Sequence, residues 1–517
     1  MNLLRAAATV GSLTLLSRLT GFLRDAGIAF LLGASAAADA FFVAFKLANL
    51  LRRLFAEGAF NAGFVPLFAR TLEGEGEEAA RGFANAAFSL MSLVLLLVVL
   101  AAELAMPWVV AALAPGFAPE SERYALAVEL SRITFPYLAF ISLAAIAAGV
   151  LNSVGAFAAA AFAPVLLNLV LIAALVCAAL ADAHAAYPLA WGVAAAGVAQ
   201  LALVLSASAR AGFPLRLVRP KLDGRMRRLF ALVLPGALGA GVYQLSLVID
   251  TWFASRLPEG AVSYLFYADR LNQLPLGAVG VALATALLPG LARALRAGRE
   301  DEARRLQTRA IEVGMLFAVP ATVAFLTMPV TLVEALFGRG EFDAQAVVAT
   351  AAALAAFAIG LPAYVLVKVL APGFFAREDT RTPVLIAAFC LLVNIGAILA
   401  LVGPLAHAGI ALATAISSWT NAFLLGLLLW WRGELRADGR LARRLGAIVF
   451  ASALMGGALS GLERLAAGLP SLARLSLLVP TGLVVYFAAA RWAGAFHGEE
   501  LRSLFRRAPV PAAGDDR

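Results

Sequence analysis

Apolar stretches of about twenty residues recur from one end of this chain to the other, each long enough to cross ~30 Å of hydrocarbon as a helix. A chain built this way has little freedom of fold. Inside lipid every backbone N–H and C=O must be paired within the protein, which leaves membrane-crossing helices as the solution for apolar runs of this length. Composition agrees, because 62% of the 517 residues are hydrophobic and 14% charged, where soluble domains carry about 25% charged residues. The fold expected is an all-α polytopic membrane protein with about fourteen spans. They fall at 8–32, 36–58, 83–106, 124–151, 157–181, 186–209, 229–255, 262–290, 310–333, 346–371, 382–402, 406–431, 442–462 and 472–495. Gly21, Pro136, Pro164, Pro235, Pro275, Pro320 and Pro362 fall inside spans and predict kinks. Arg5 followed by AAATVGSLTLLS faintly resembles a signal peptide, but no small-x-small site precedes Arg18, so the first span is expected to be retained. Cys177 and Cys390 lie in apolar runs and are expected to pack rather than pair.

The net charge of +9 would point to nucleic acid in a soluble protein, but here the basic residues fall largely between spans. They read as topology determinants beside anionic phospholipid, and no nucleic acid is expected. Loop 6–7 carries Arg210, Arg216, Arg219, Lys221, Arg225, Arg227 and Arg228, and loops 8–9 and 12–13 are comparably basic, while loops 5–6 and 11–12 hold no Lys or Arg. By the positive-inside rule both termini are cytoplasmic. The first twelve spans also read as two halves of six. Val65–Arg70 (VPLFAR) recurs as Leu288–Arg293 (LPGLAR), Met106-Pro107 as Met328-Pro329, Pro136 as Pro362, Gly149 as Gly373, and Pro164-Val165-Leu166 as Pro383-Val384-Leu385, in order and at a near-constant offset. An even number of spans per half predicts two parallel lobes related by a pseudo-twofold axis along the membrane normal. The expected divisions are 1–222, 223–435 and a remainder 436–517 holding spans 13 and 14.

Charges inside the spans carry the functional signal. A single Arg or Asp at mid-bilayer costs roughly 2.5–3.5 kcal/mol even on the lenient insertion scale, so such groups normally face a bundle interior or a wet cavity. Spans 1 and 2 hold Arg18, Arg24, Asp25, Asp39, Lys46, Arg52, Arg53 and Glu57. Asp39, Lys46 and Arg53 are seven apart, as are Arg18 and Asp25, and seven residues make almost two whole helical turns, so each set shares a face. Arg52, Arg53 and Glu57 also read as a cap on the cytoplasmic end of span 2. Span 8 supplies Asp269 and Arg270, at the repeat position of Lys46 and Leu47. The expectation is a cationic chamber suited to an anionic substrate, with a structural Asp–Arg pair as the plainer alternative for Asp269 and Arg270.

Asp250, Asn394 and Thr414 are lone polar groups in apolar spans, and a carboxylate with neutral oxygens can hold a hard cation. Ile398 stands one turn beyond Asn394 where a second carboxylate could have been, and Asn and Thr in such helices also serve as interhelical hydrogen-bonders. His184, His407 and His497 are scattered without metal-ligand spacing. Lys46, Lys221 and Lys368 are followed by Leu, Leu and Val, so no P-loop is present and ATP-driven transport by this chain is excluded. No cofactor and no catalytic residue is expected, and the energy source would be membrane potential or a cation gradient.

Four segments, SRLTGFLRD (17–25), ADAFFVAFKLANLLRRLFAEGAFNAGFVPLF (38–68), YADRLNQLPLGAVGVALATALLP (267–289) and FFAREDTRTP (374–383), resemble the MurJ/MviN family of the multidrug/oligosaccharidyl-lipid/polysaccharide (MOP) exporter superfamily. The resemblance implies fourteen helices in two six-helix lobes, the last two helices forming a groove for a lipid tail. It implies a lipid II flippase of the bacterial inner membrane, moving undecaprenyl-diphosphate-linked disaccharide-pentapeptide to the outer leaflet, with peptidoglycan-synthesis machinery as a further partner. It assigns the substrate to Arg18, Arg24, Arg52 and Arg270, with Asp25 and Asp39 as charge partners. A diphosphate independently suits Arg, whose planar fork makes bidentate contacts. The alternative is another MOP exporter, of lipid-linked O-antigen-type glycan or of drugs. A polymerase of the same lipid would need a catalytic acid in a large outer loop, and loops 3–4, 7–8 and 9–10 are short.

Overall fold

The structure, a computed structural model, describes residues 3–52, 59–219, 224–277, 281–436 and 438–496. Among these residues it is helical throughout, with no strand. In chain order the helices are α1 (Leu3–Leu32), α2 (Ala36–Arg52), α3 (Ala59–Glu75), α4 (Glu77–Leu113), α5 (Glu122–Thr134), α6 (Tyr137–Ser153), α7 (Ala158–Leu180), α8 (Ala186–Arg210), α9 (Gly224–Ala254), α10 (Ala261–Pro275), α11 (Val281–Arg296), α12 (Glu300–Thr327), α13 (Pro329–Phe337), α14 (Ala344–Phe375), α15 (Arg381–Trp431), α16 (Gly439–Leu465) and α17 (Ser471–Trp492). Nine helical segments among the described residues are long and apolar enough to cross a bilayer. The charge-bearing α2 and α10 are shorter, at 17 and 15 residues. The protein is an all-helical, multi-pass membrane protein.

Proline decides where several spans break. Met328 leaves the helical region (φ −132°, ψ 45°) and Pro329 opens α13, so the expected span 310–333 is two helices. A residue before proline is pushed out of the α region, and proline itself is well suited to a first helical position. Pro107, the counterpart of Pro329 in the repeat, stays inside α4 without a break. At Pro136 the missing N–H divides α5 from α6, yet φ −56° and ψ −22° keep the chain near-helical, and Glu122–Ser153 counts as one span. The 51 residues of α15 are interrupted at Ala406 (φ 47°, ψ −129°), the first residue of the span read at 406–431. One helix, α3, has no counterpart among the expected spans. Its Pro66 and two glycine-flanked ends hide it, while Phe64 and Phe68 are fully buried, Phe64 stacking on Phe83 and Phe68 meeting Phe213 edge to face.

The chain forms two compact units. The first comprises Met1–Tyr267, Leu336–Thr350 and Asn394–Ile410. In it α1 packs on α7, α7 and α6 on α8, α2 on α5, and α3 on α9. The buried face of α2 is built from Ala38, Ala40, Ala44 and Ala48, all 0% exposed, because small residues let helix backbones approach closely in lipid. On α4 the exposed Leu93, Leu96, Leu97, Leu100, Leu104 and Trp108 follow helical spacing and form an apolar outer stripe. Cys177 is exposed on α7, not packed as expected, and Cys390 is buried; both are free thiols.

The second unit comprises Ala268–Ala335, Ala351–Val393 and Ala411–Arg517. Here α16 lies against α12 and α17. Arg444 donates to Glu312 across α16 and α12 at 2.7 Å, both side chains nearly buried. One turn along α12, Tyr486 of α17 donates to the Leu316 carbonyl at 2.5 Å, and at the far end of α16 Thr331 donates to Glu463 at 2.7 Å. Polar bonds thus fix α16 at both ends and α17 at Tyr486, while Val449, Phe450, Leu454, Leu483 and Val484 stay exposed.

Candidate functional site

Three charged groups within the spans of the first unit are built around Arg24, Lys46 and Asp39. On α1, Arg24 and Asp25 are 6% and 3% exposed. Arg24 Nε and Nη2 both donate to Asp25 Oδ1, at 2.9 and 2.6 Å, and Nη1 donates to Asn168 Oδ1 on α7 at 2.8 Å. The guanidinium lies 5.6 Å from the centre of the Phe45 ring. A buried ion pair needs further hydrogen bonds to offset its desolvation, and Asn168 supplies one. Arg18, two turns earlier on α1, is exposed.

On α2, the half-buried Lys46 donates from Nζ to Thr251 Oγ1 of α9 at 2.7 Å, and that hydroxyl in turn donates to the Leu247 carbonyl. Asp250 is the neighbour of Thr251 and accepts from Asn394 Nδ2 at 3.2 Å. The amide therefore presents a donor, not an oxygen, to the carboxylate. Among the described residues no group of three or more His, Cys, Asp or Glu could hold a metal ion. Thr414 belongs to the second unit.

Asp39 stands in the first turn of α2 and is completely buried. Its Oδ2 accepts from the Gly260 amide at 2.9 Å, and Oδ1 accepts from the Ser263 amide and hydroxyl at 2.9 and 2.7 Å. These are free donors at the start of α10, where the helix dipole favours a negative charge. Arg123 of α5 approaches Oδ2 at 3.4 Å, lies over the Phe117 ring at 3.9 Å and donates to the Ser255 carbonyl at 2.8 Å. Asp39 is thus engaged by α10 and Arg123.

Beside this carboxylate two turns interlock through backbone atoms. Gly33 (φ 59°) ends α1 and Gly340 (φ 64°) lies between α13 and α14, and Glu341 N donates to the Phe30 carbonyl at 2.9 Å. A Cβ at Gly33 would sit 2.3 Å from the Glu341 carbonyl oxygen, and one at Gly340 would sit 2.2 Å from that of Phe30. Tyr267 donates from its hydroxyl to the Gly33 carbonyl at 3.1 Å.

Arg52 closes α2, but its side chain lies outside those described, and Arg53 and Glu57 lie outside the described residues. Asp269 and Arg270 are half-buried on α10, within the second unit, where Gln273 Nε2 donates to Asp269. Asn168, Thr251, Ser263, Gly260 and Arg123 were not singled out in the sequence. Asn168 had a signal, since it follows Pro164 by one turn in a stretch already marked by the repeat. Thr251 adjoins Asp250. Nothing local announces Ser263, Gly260 or Arg123, whose roles depend on a partner far away in sequence.

Ion-paired arginine and hydrogen-bonded lysine within the spans of a multi-pass helical bundle are the charges that mark a transport path in membrane proteins. Residues 28–478 match the family described as Lipid II flippase MurJ. The chain is 47% identical to the probable lipid II flippase MurJ of Rhizobium meliloti (strain 1021), over 95% of this chain and 94% of that protein. It is 41% identical to the lipid II flippase MurJ of Burkholderia cenocepacia, over 84% and 85%. Among solved structures, the fold is shared with a lipid II flippase MurJ in an inward closed conformation, with TM-score 0.80, 22% identity and coverage of 96% and 99%. It is also shared with an inward-facing multidrug resistance MATE family transporter of the MOP superfamily, with TM-score 0.69, 17% identity and coverage of 82% and 98%. The chain belongs to the MurJ family of lipid II flippases.

Proposed function

We propose that this protein carries lipid II, the undecaprenyl-diphosphate-linked peptidoglycan precursor, from the cytoplasmic to the outer leaflet of the bacterial inner membrane by alternating access. The observation that supports it most is the buried Arg24 on α1, held by Asp25 and Asn168 inside the span of a lipid II flippase family member. A diphosphate needs several cations, and a guanidinium offers five N–H donors in a fixed fork. Arg18, exposed on the same helix, meets the phosphates first, and Arg24 engages them when the cavity opens. Lys46 is a third cation, released from Thr251 as the substrate arrives. Arg52 and Arg270 are assigned to the same substrate from the sequence, with Asp25, Asp39 and Asp269 as charge partners.

The basic loops put both termini and the α8–α9 connection in the cytoplasm, and hence the α1–α2 turn on the outer side. The divisions at 222 and 435 are proposed from the internal repeat. Energy comes from the membrane potential, with Asp250 and Asn394 as a secondary modulator. Anionic phospholipids and the peptidoglycan-synthesis machinery are its proposed partners. The test is complementation of a flippase-depleted cell. Arg18→Ala and Arg24→Ala each abolish growth and lipid II exposure while inserting normally, and Lys replacements rescue only in part, because a point charge cannot reproduce a bidentate grip. Full activity of both Ala variants at native expression refutes the proposal.

A further inference from the structure

Arg24 is fastened by two residues that do different things. Asp25 takes both of its bonds on one atom, Oδ1, from the Nε and Nη2 edge. A planar guanidinium joined along one edge to a single oxygen can still swing about that oxygen. The bond from Nη1 to Asn168 Oδ1 enters from a third nitrogen and on another helix, and it fixes the plane. Three of five N–H groups are then used, leaving one on each terminal nitrogen.

Asn168 is itself locked. Its Nδ2 donates to the Ser17 carbonyl at 2.9 Å and to Thr20 Oγ1 at 3.2 Å, while the Thr20 hydroxyl donates back to the Leu16 carbonyl at 2.9 Å. The amide is 5% exposed, and its oxygen and nitrogen cannot exchange places without setting a donor against a donor and an acceptor against an acceptor. The close approach of α7 to α1 depends on Gly21, where a Cβ would come within 3.3 Å of Asn168 Nδ2. Gly21 and Pro164, which the sequence marked as kink positions, therefore flank a built contact.

We propose that Asn168 is a positioning residue that sets the plane of the Arg24 guanidinium for the substrate diphosphate. The inference rests on the reading of Arg24 as a phosphate ligand, and the experiment separates the two. Undecaprenyl diphosphate is titrated into the full chain in nanodiscs, with Arg24→Ala, Asn168→Ala, the double variant and Gly21→Ala compared. Losing a hydrogen bond to a charged group predicts that Asn168→Ala raises Kd about tenfold. In the Arg24→Ala background the same change alters Kd less than about twofold, because coupled residues are non-additive. Gly21→Ala, which only displaces the amide, weakens binding in the native chain and has no further effect once Asn168 is Ala.

A general packing role gives the same fractional loss with and without Arg24, and that result overturns the proposal. So does an unchanged Kd in Asn168→Ala when Arg24→Ala binds weakly. If Arg24→Ala itself binds as the native chain does, the phosphate reading of Arg24 fails and takes this inference with it.

Discussion

Asp39 accepts three hydrogen bonds from α10 and faces one arginine, with no exposed surface of its own. Removing one partner of a buried charge set leaves the others uncompensated, at a cost of about 3–5 kcal/mol. Asp39→Ala should therefore lower the unfolding midpoint in detergent, and hydrogen exchange at the Gly260 and Ser263 amides should accelerate ahead of the rest of the chain. A second residue-scale expectation concerns Asp379, in the connection between α14 and α15. The Thr382 backbone amide, then Arg432 and the Thr382 hydroxyl, hold its carboxyl down from 3.8 to about 2. Because the folded value is the lower one, its stabilisation is complete above the unfolded value and is lost as pH falls from about 4 toward 2. Thermal midpoints of the second unit measured from pH 5 to 2.5 should lose that segment of the pH dependence in Asp379→Asn. In the sequence, Asp25 was legible as a partner for Arg24 because the two are adjacent. Asp39 was legible only as a charge in the wrong solvent, since Gly260, Ser263 and Arg123 reach it from far along the chain.

Between α8 and α9, residues 213–219 run without helix along α4. Arg216 N donates to Asn85 Oδ1 at 2.8 Å and Val218 N to Ser89 Oγ at 2.7 Å. Four residues of helix rise about 6 Å and two residues of extended chain about 6.6 Å, so alternate amides of the strap meet successive turns of the helix. Each neutral bond contributes about 1 kcal/mol. Cleavage by trypsin after Arg216 follows the opening equilibrium, so Asn85→Ala with Ser89→Ala, which removes about 2 kcal/mol, should speed it on the order of thirtyfold. The strap fell within a loop recognised only by its charge. Spans such as α7 and α8 were legible almost to the residue, since an unbroken apolar run has one solution in lipid. Helix α3 was not, because a helix bearing Pro66 and buried against protein needs no such run. Met106-Pro107 and Met328-Pro329 look alike in sequence, yet only the second breaks its helix, so packing decides what the dipeptide allows.

At the scale of the whole molecule, vectorial transport on the proposed mechanism requires an input that favours one state over another. On the proposed potential-driven mechanism, a net positive empty cavity would be drawn toward the negative cytoplasmic side by about 2.3 kcal/mol per charge per 100 mV. Asp250 accepts from the amide nitrogen of Asn394, which turns a donor rather than a cation-binding oxygen toward the carboxylate. Collapsing the potential at constant pH and sodium should stop lipid II exposure in cells, while Asp250→Asn keeps substantial activity. A dead Asp250→Asn with unchanged activity at zero potential would reverse the assignment. The interlocked turns at Gly33 and Gly340 carry a different kind of consequence. The atoms that stand nearest each glycine are main-chain carbonyl oxygens, which every residue carries, so a change of side chain at Phe30 or Glu341 cannot make room for a Cβ. Each glycine is constrained separately and absolutely, and a method that infers proximity from correlated substitutions would see two fixed columns and miss the junction between them.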